Sequence, residues 1–519
     1  MFQRHLKKLR VVTGLLFFLF TAFIFLDFRN ILTSAQFKGI LFLQFVPSLI
    51  KFVNLLSLAS AGFIIILLLT ALCGRVYCSA ICPLGIFQDM VSFISRIFRK
   101  KKKSFHFSQP WTKLRYTILA ITVLSLLAGS TFVLGLLDPY SNFGRFVSDF
   151  VRPLFIKLNN GIASILEKRD IFFLYPVDLV KVNLLTFIFP ALMLILLIVL
   201  SFGRGRLYCN TVCPVGSLLG LLSKISFFKI KINTTSCTQC GKCSKVCKSE
   251  CINIKDQSVD FSRCVDCFNC LAACPENAIR LNLVPHKAIA VVPEVETTGN
   301  ERRAFLAKSL ALTVGAAGLS SLAFSQSKAE TSVKKNVVCP PGSKGIKHFT
   351  DTCTSCHLCV SACPTKVLQP AFMEYGILGM MQPRMDYSTS FCNYDCTLCS
   401  EVCPTGAIQQ LTKEVKQQTQ IGVAHFTVTN CIVFRDNTSC GACSEHCPTK
   451  AVNMVPYKGE LTIPEVNPKI CIGCGGCEYA CPARPEKAIR VIGHELHQKA
   501  LKPREEKLKP VDTSQDFPF

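Results

Sequence analysis

The chain lacks, or is poor in, several features that would point to common classes of protein. Acidic residues are scarce, with 33 Asp and Glu against 58 Lys and Arg, a formal net charge of +25. No glycine-rich phosphate loop and no flavin motif is present, which disfavours oxidation of NAD(P)H by this chain alone. None of the nine histidines lies in a long apolar run, which disfavours a haem b held by two histidines inside a bilayer. The densest basic run, 99–103, separates two apolar runs, so it indicates membrane topology rather than nucleic-acid binding.

Apolar residues, in contrast, make up 50% of the 519 residues and fall in long runs. Four runs are long enough to span a bilayer, at 9–28, 53–72, 116–137 and 184–202. The first has no small-residue cleavage site after it, which predicts a retained anchor. Basic flanks put the N-terminus and the second loop in the cytoplasm of a bacterial inner membrane, and the loops at 29–52 and 138–183 in the periplasm. Each periplasmic loop carries a shorter apolar stretch, at 40–50 and 154–166.

The membrane segment contains a repeat. One pair of spans ends in GRVYCSAICPLG, with Cys78 and Cys82, and the other in GRLYCNTVCPVG, with Cys209 and Cys213. Two matching hairpins predict a parallel duplication about an axis along the membrane normal. This symmetry would bring the four thiols together at the cytoplasmic face, as a thiolate metal site, a redox-active set or a purely structural set.

Two complete C-x2-C-x2-C-x3-C runs follow at 237–247 and 264–274. In such runs three cysteines wrap one [4Fe–4S] cluster and the fourth ligates the other cluster. Zinc is the alternative, but it prefers two separated C-x2-C pairs. The spacing therefore assigns Cys237, Cys240, Cys243 and Cys274 to cluster 1, and Cys264, Cys267, Cys270 and Cys247 to cluster 2.

Residues 301–324 have paired arginines followed by a mildly apolar stretch, as in a twin-arginine export signal. The segment departs from the usual pattern at Glu301 and Lys308, and a buried helix is the alternative. If it is an export signal, everything beyond about 325 is periplasmic, and 309–324 is a fifth span or a cleaved leader.

Four more cysteine runs follow, each ending in Cys-Pro; the second and third have longer first gaps. A disulfide framework is the alternative in an oxidising compartment, but the tight spacing favours clusters. Pairing neighbouring runs, with nested pairing left open, assigns cluster 3 to Cys353, Cys356, Cys359 and Cys403; cluster 4 to Cys392, Cys396, Cys399 and Cys363; cluster 5 to Cys431, Cys440, Cys443 and Cys481; and cluster 6 to Cys471, Cys474, Cys477 and Cys447. No role is assigned to the leftover Cys73, Cys251 and Cys339.

One of these runs begins Cys353-Thr-Ser-Cys356-His357, which also matches the attachment signature of a c-type haem. Because Cys359 and Cys363-Pro complete a ferredoxin run there, and the three sister runs lack the histidine, we predict a cluster and no haem.

The predicted fold class is an α-helical membrane domain of four spans, plus a fifth at 309–324, with α+β bacterial ferredoxin-like [4Fe–4S] domains. The predicted segments are a membrane domain at 1–223, a cytoplasmic two-cluster domain at 224–295, the twin-arginine segment at 296–330, a periplasmic four-cluster domain at 331–495 and a charged tail at 496–519.

On these motifs, residues 1–290 resemble NapH/MauN-type membrane ferredoxins and residues 296–490 resemble NapG/MauM-type exported ferredoxins, here fused. The resemblance implies oxidation of menaquinol and delivery of electrons to a periplasmic c-type cytochrome or reductase of the nitrate, nitrite or nitrous oxide type. Two alternatives stay open: a conduit from a cytoplasmic donor to quinone or to the periplasm, and an accessory protein that matures a periplasmic metalloenzyme. The candidate quinol site, near the periplasmic ends of the spans, comprises Asp27, Gln44, Asp138, Tyr140 and Arg145.

Overall fold

Helices form most of the first half of the chain, as its apolar runs predict. The computed structural model describes residues 2–29, 31–55, 60–98, 105–179, 184–283 and 337–502, and the twin-arginine segment at 301–324 lies outside these ranges. The helices of the first half are α1 (Phe2–Leu26), α2 (Ser34–Phe42), α3 (Phe45–Leu55), α4 (Gly62–Cys73), α5 (Val76–Ala80), α6 (Pro83–Phe98), α7 (Thr112–Leu127), α8 (Phe132–Leu137), α9 (Pro139–Phe146), a π-helical turn (Val147–Val151), α10 (Arg152–Glu167), α11 (Leu184–Arg204), α12 (Leu207–Thr211) and α13 (Pro214–Ser223).

Four full-length spans are not confirmed. Within the described ranges, two helical segments are long and apolar enough to cross a membrane, His5–Leu26 and Leu184–Arg204, and α2 with α3 adds a third if this pair, bent by 108°, counts as one span. Helix α4 has only 12 residues, about 18 Å at 1.5 Å per residue, and is shorter than the apolar core of a bilayer. The predicted span at 116–137 breaks at Gly129, where φ is +83°, and divides into α7 and α8.

The first ferredoxin domain is built from two small antiparallel sheets and two short helices. Strand β1 (Phe228–Ile232) pairs with β4 (Ile279–Leu283), and β2 (Ile252–Asn253) pairs with β3 (Ser258–Val259). Helices α14 (Lys242–Lys245) and α15 (Asn269–Ala273) follow the two cysteine loops. Each helix is one turn long because the next cysteine of its run must point away from the loop.

The second ferredoxin domain is larger, with three antiparallel strand pairs and seven short helices among its described residues. Its strands are β5 (Leu368–Pro370) paired with β6 (Pro383–Met385), β7 (Thr419–Phe426) paired with β10 (Ile489–Lys499), and β8 (Val452–Pro456) paired with β9 (Thr462–Val466). Its helices are α16 (Ile346–Thr352), α17 (Leu358–Ala362), α18 (Leu398–Val402), α19 (Lys413–Gln417), α20 (Ile432–Asp436), α21 (Ala442–Glu445) and α22 (Gly476–Ala480), with 3-10 turns at Ile377–Gly379 and Val428–Asn430.

Strand β10 passes the predicted domain end at 495. After a register shift it pairs Gln498 with Gln420 and Lys499 with Thr419. The first four residues of the predicted charged tail, 496–499, therefore belong to this strand, and most of its charges, at 503–519, lie outside the described residues.

Helix α1 connects the two ferredoxin domains through the membrane domain. It packs against α15 of the first ferredoxin domain and against α17 of the second. Leu6, near the start of α1, packs on the core of the first ferredoxin domain, and Phe25, near its end, is fully buried in the core shared with the second.

Candidate electron-transfer sites

The four regular cysteine runs share one loop conformation. In each, the residue before the second cysteine and the residue after it have left-handed φ angles between +47° and +81°. These pairs are Gln239 and Gly241, Asp266 and Phe268, Ser355 and His357, and Gly473 and Gly475. This conformation turns successive backbone N–H groups toward the inside of the loop, where they favour an anion. In the two runs with longer first gaps the equivalent residues, Thr397 and Gly441, have φ of −117° and −127°, so the added residues change the loop.

The cysteines come together in sets of four. Four cavities are lined, respectively, by Cys237, Cys240, Cys243 and Cys274; by Cys247, Cys264, Cys267 and Cys270; by Cys363, Cys392, Cys396 and Cys399; and by Cys431, Cys440, Cys443 and Cys481. Cys359 lies near Cys353, Cys356 and Cys403, and Cys477 lies near Cys471, Cys474 and Cys447. The structure thus brings together the six sets that the spacing assigns to clusters 1 to 6, with neighbouring rather than nested runs paired.

These sets suit an iron–sulfur cluster better than a single ion. Backbone N–H groups point at the sulfurs, with Ser355 N 3.4 Å from Cys353 Sγ and Ala451 N 3.1 Å from Cys447 Sγ. Among the described residues, no three His, Cys, Asp or Glu side chains lie close enough together to hold one metal ion. Burial raises the pKa of the Cys356 and Cys474 thiols to about 12, so both would ionise only when metal binds.

The four sets of the second ferredoxin domain form one line. Cys359 lies near Cys399, which joins clusters 3 and 4. The backbone N–H of Cys392 donates to the carbonyl of Cys474 at 2.9 Å, which joins clusters 4 and 6. Cys477 lies near Cys443, which joins clusters 6 and 5. The order along the line is therefore 3, 4, 6, 5, although the order in the chain is 3, 4, 5, 6.

His357 has no nitrogen free for a haem iron. Its Nδ1 lies 3.1 Å from Asp149 Oδ1 and its Nε2 lies 3.0 Å from the carbonyl of Met381. It occupies the left-handed position that Phe268 and Gly475 occupy in sister loops. The histidine therefore ties the second ferredoxin domain to the π-helical turn that contains Asp149.

The two Cys-x3-Cys-Pro motifs of the membrane domain interlock. We call Cys78, Cys82, Cys209 and Cys213 the thiol quartet; each is at most 4% exposed, and Cys213 lies near the other three. Arg75 Nη2 donates to the carbonyl of Cys209 at 3.2 Å, and Arg206 Nη1 donates to the carbonyl of Cys78. Each repeat thus supplies an arginine to the other.

The glycines that end the two motifs allow this close packing. A Cβ at Gly85 would lie 2.2 Å from the carbonyl oxygen of Cys78, and a Cβ at Gly216 would lie 2.2 Å from that of Cys209. Since real Cβ contacts are never this short, only glycine fits at either position.

The five candidate quinol residues are all buried, at 5% exposure or less. Asp27 binds loop backbone through both oxygens, at Arg29, Ile31 and Leu32. Each of the other four has at least one buried polar atom without a hydrogen-bond partner; these atoms are Gln44 Nε2, Asp138 Oδ1, Tyr140 Oη, and Arg145 Nε and Nη1. Buried polar groups are normally paired, so these atoms are candidates to bind a polar ligand.

The two carboxylate oxygens of Asp138 have different surroundings. Its Oδ2 caps α9 by accepting from Ser141 N at 2.8 Å and from Ser141 Oγ at 2.7 Å, as expected of a helix cap followed by proline. Its Oδ1 has no partner. The carboxylate is therefore held in place and still has one oxygen for a proton.

Cluster 3 docks beside these residues. Tyr140 lies near Cys356 and Cys403, and Arg145 lies near Cys356 and Asp138. A Cβ at Gly144 would lie 2.5 Å from the carbonyl oxygen of Cys356, so glycine at this position is what lets the cysteine loop approach. We call Gln44, Asp138, Tyr140 and Arg145, which carry these unpartnered atoms, the unpartnered polar set.

Sequence reasoning missed three groups of residues. Asp89 binds Arg10 at 3.1 Å, Arg206 at 2.9 Å and Lys248 at 3.2 Å, and so joins both repeats to the first ferredoxin domain. The arginines and tyrosines of the GR-x-Y-C repeats also have direct roles. Tyr77 Oη lies 3.4 Å from Gln44 Oε1, and Tyr208 Oη donates to the carbonyl of Leu137 at 2.8 Å. The repeated Gly-Arg-x-Tyr before each cysteine pair was the signal that could have found them.

Comparison with known families first defines a class. Residues 56–102 and 185–234 match a family described as 4Fe-4S binding domain. Residues 263–367, 352–407 and 438–484 match one 4Fe-4S dicluster domain family, and residues 229–275 match another. The chain is a ferredoxin-type iron–sulfur electron-transfer protein.

One relative identifies the family within this class of protein. The methylamine utilization ferredoxin-type protein MauM of Methylobacillus flagellatus is 31% identical over 175 residues, 31% of this chain and 70% of MauM. Through this part, the chain belongs to the ferredoxin-type protein family that includes MauM.

Two further relatives match a larger part of the chain. The uncharacterized protein MJ0749 of Methanocaldococcus jannaschii is 26% identical over 220 residues, 42% of this chain and 68% of the relative. The putative electron transport protein YccM of Escherichia coli is 28% identical over 218 residues, 41% of this chain and 52% of YccM. No solved structure matches the chain significantly.

Proposed function

We propose that this protein is a membrane-bound quinol dehydrogenase that oxidises menaquinol and passes the electrons to a periplasmic c-type cytochrome or reductase of the nitrate, nitrite or nitrous oxide type. The observation that carries the proposal is the unpartnered polar set, of which Tyr140 and Arg145 lie beside cysteines of cluster 3. Membership of the MauM family supports electron transfer, and the resemblance to NapH/MauN and NapG/MauM proteins supports the quinol and the periplasmic acceptor.

Six [4Fe–4S] clusters, bound by the six cysteine sets, would take up and release electrons singly. Quinol has two hydroxyl groups, each of which loses a proton and an electron when it is oxidised. Asp138 Oδ1 would accept the two protons one after the other and release each toward the periplasm, while the two electrons would pass singly to cluster 3. Tyr140 Oη and the unpartnered nitrogens of Arg145 hold the quinol oxygens. Arg145 also stabilises the carboxylate of Asp138, which lies close to it.

The order of the cysteine sets supports a path for the electrons. The set of Cys356 lies against the membrane domain, and the set of Cys440 lies at the other end of the line. An electron that enters beside Tyr140 would leave near Cys440, where a soluble acceptor docks. In this proposal, 1–223 span the membrane with the short α4 and the bent pair completing four spans, 224–295 are cytoplasmic and 331–495 are periplasmic.

A second candidate is a conduit from a cytoplasmic donor to the quinone. The contact of the first ferredoxin domain with the membrane domain favours it, because the carbonyl of Ser262, two residues before Cys264, accepts from Arg75 Nη1 at 3.0 Å and from Arg115 Nη2 at 2.8 Å. In that case electrons enter at cluster 1.

The test is anaerobic reduction of the purified intact protein by a menaquinol analogue, followed by electron paramagnetic resonance of the clusters. We expect quinol to reduce a subset of clusters and Asp138→Asn to slow this reduction by about 100- to 10,000-fold, the range of a lost general base. Asparagine caps helices as well as aspartate does, so α9 should stay intact.

The matched control is Asp27→Asn, since both oxygens of Asp27 are occupied by loop backbone; it should leave the rate nearly unchanged. If only a strong low-potential reductant reduces the clusters, electrons enter from the cytoplasm and the quinol dehydrogenase assignment is wrong.

A further inference from the structure

A cavity without cysteines lies where the membrane domain meets the first ferredoxin domain. Its walls come from the residues just before α7, from the end of α11 with α12, and from two loops of the ferredoxin domain. The wall residues include Ser108, Trp111, Arg204, Ser249, Glu250 and Arg263. The volume is about 350 Å³, within the range of about 300–1,000 Å³ that is usual for small-molecule sites. No residue of the candidate quinol site lines this cavity.

Hydrogen bonds hold the walls of the cavity together. Arg263 Nη1 donates to the carbonyl of Ser108 at 2.8 Å, and the side-chain amide of Asn210 donates to the carbonyl of Ser249 at 3.4 Å. The backbone N–H of Ser108 donates to the carbonyl of Glu250 at 3.4 Å. Contacts between three separate parts of the chain therefore build the cavity.

Two buried donors in these walls have no partner. Ser249 and Arg263 are 6% and 4% exposed, and Ser249 Oγ and Arg263 Nη2 form no hydrogen bond within the described residues. Buried polar groups are normally paired, so a polar ligand in the cavity would complete both. Arg204, the last residue of α11, adds an exposed guanidinium to the wall. Guanidinium groups are well suited to bind a phosphate group.

The charges around the cavity favour a ligand with charges of both signs. Asp260 binds Arg263 Nε at 2.7 Å, and Glu250 lines the wall. Two carboxylates thus balance the two arginines, and a ligand with only negative charge would meet little net positive charge. A phosphate joined to an ammonium group matches this arrangement, because the arginines attract the phosphate and Glu250 attracts the ammonium group.

In the membrane placement proposed above, the cavity lies at the level of the lipid head groups. Helix α7 begins at Thr112, α11 ends at Arg204, and α12 packs against both helices. Trp111 is exposed at the start of α7, and tryptophan is enriched where membrane helices meet water. Away from the cavity, α7 and α11 carry exposed apolar side chains such as Leu114 and Val199, so acyl chains have a surface on which to lie.

We propose that this cavity binds the head group of a zwitterionic phospholipid with a primary amine, such as phosphatidylethanolamine. Arg204, Arg263 Nη2 and Ser249 Oγ hold the phosphate. The carboxylate of Glu250 accepts hydrogen bonds from the ammonium group. The bound lipid joins the ends of α7 and α11 to the first ferredoxin domain, as head groups do in polar pockets between membrane helices. The proposal rests on the membrane placement in the proposed function and not on the quinol site.

Lipid binding is measured on the intact protein, purified without oxygen in detergent and freed of lipid. Native mass spectrometry follows its titration with phosphatidylethanolamine, phosphatidylcholine and phosphatidylglycerol that carry the same acyl chains. We expect one tightly bound phosphatidylethanolamine and binding about 10-fold weaker for the other two. Phosphatidylcholine has no N–H to donate to Glu250, and phosphatidylglycerol has no ammonium group. Equal affinity for the three lipids would overturn the proposal.

Two variants test the phosphate contacts. Ser249→Ala and Arg204→Gln should each weaken binding of phosphatidylethanolamine by about 10-fold, as expected for a lost hydrogen bond to a charged group. Iron content should stay at the wild-type value in both, which shows that the cysteine loops are intact. Lys113→Gln is the matched control, because Lys113 is an exposed cation in the first turn of α7 and does not line the cavity. Equal losses in Lys113→Gln and Arg204→Gln would show a general attraction of lipid to basic surface and overturn the site.

The ammonium contact is tested by lipid preference. Glu250→Gln should abolish the preference for phosphatidylethanolamine over phosphatidylcholine and leave the affinity for phosphatidylcholine nearly unchanged. A purely structural role of Glu250 would weaken both lipids alike, and that result would overturn the assignment of the ammonium group.

Two further readouts separate the possible failures. Soluble phosphoethanolamine carries the same two charged groups without acyl chains, and at equal concentration it should not displace the lipid; displacement would show a soluble ligand and overturn the lipid assignment. Sedimentation with the cell membranes tests the membrane placement. A protein that does not sediment with membranes fails the proposed function, and this proposal with it. A membrane-bound protein that does not discriminate between the lipids fails this proposal alone.

Discussion

Cys240 and Cys356 hold the same place in two cysteine loops of the same conformation, yet their surroundings are opposite. Cys240 is exposed, and the backbone N–H of Lys242 lowers the pKa of its thiol. Cys356 is 7% exposed, and burial raises the pKa of its thiol to about 12. The residue after the cysteine is Gly241 in one loop and His357 in the other. The comparison teaches that the spacing of cysteines sets the loop, whereas the residues between them decide whether the loop is exposed or packs against another part of the chain.

The largest expected difference between the two loops is in electron entry. Cys356→Ser should reduce the rate of cluster reduction by menaquinol by more than about 100-fold, beyond the range of substitutions that leave the ligands in place. Cys240→Ser should remove cluster 1 and leave that rate unchanged. Stopped-flow absorbance with iron analysis measures both. Equal losses in the two variants would mean that quinol does not enter beside Cys356.

A smaller effect is expected at the variable position. His357→Gly keeps the left-handed backbone but removes the hydrogen bonds to Asp149 and Met381, so docking of the second ferredoxin domain should weaken by about 1–3 kcal/mol. Hydrogen exchange of the π-helical turn at Val147–Val151 measures it. Ser148→Ala, which removes the 2.8 Å contact with Ser361 Oγ on the same surface, should have a smaller effect. Iron content should not change; if it falls, His357 supports the cluster directly.

Cluster 2 allows the comparison to be extended to a fifth cysteine. Cys251 Sγ lies 3.5 Å from Cys247 Sγ and lines the same cavity, whereas no extra cysteine lines the cavity of cluster 1. Cys251→Ala should leave the iron content intact, alter the resonance signal of one cluster and change its reduction rate by less than about 10-fold. Loss of four iron atoms would instead make Cys251 a ligand.

The smallest effect is a pH dependence confined to the second ferredoxin domain. Burial lowers the pKa of His497 to about 4, and its Nε2 lies 3.1 Å from Cys339 Sγ. A histidine with a lowered folded-state pKa gives full stability above its ordinary pKa of 6.5, and this contribution is lost as the pH falls toward 4.

The expected loss in free energy of unfolding is about 1–2 kcal/mol, discounted for the partial exposure of the ring. Thermal unfolding at pH 7 and pH 5 measures it. His497→Gln should flatten the dependence, and His425→Gln, on the exposed side of β7, should not. An unchanged slope in His497→Gln would show that other groups titrate.

Much of the site was predictable because cluster ligation fixes the spacing of the cysteines. The four-cysteine sets and the meeting of the two Cys-x3-Cys-Pro motifs follow from period and repetition alone. The membrane domain was predicted less well, since hydropathy counts apolar residues but does not register breaks such as those at Gly129 and before Gly62. The docking of cluster 3 beside Tyr140 and Arg145 depends on residues more than 200 positions apart in the chain, and no local pattern encodes it. The end of strand β10 was missed because its polar residues at 496–499 run directly into the charged sequence that follows.

The exchanged arginines have a consequence for assembly. Arg75 serves the cysteine loop of the second hairpin and Arg206 that of the first, which is the reciprocal contact that two identical subunits make across a two-fold axis. The two hairpins of the membrane domain thus contact each other as the two subunits of a homodimer do, but within one polypeptide. In a single hairpin the arginine would lack the cysteine carbonyl that the other hairpin supplies. We therefore expect a hairpin expressed by itself to pair with a second copy of itself.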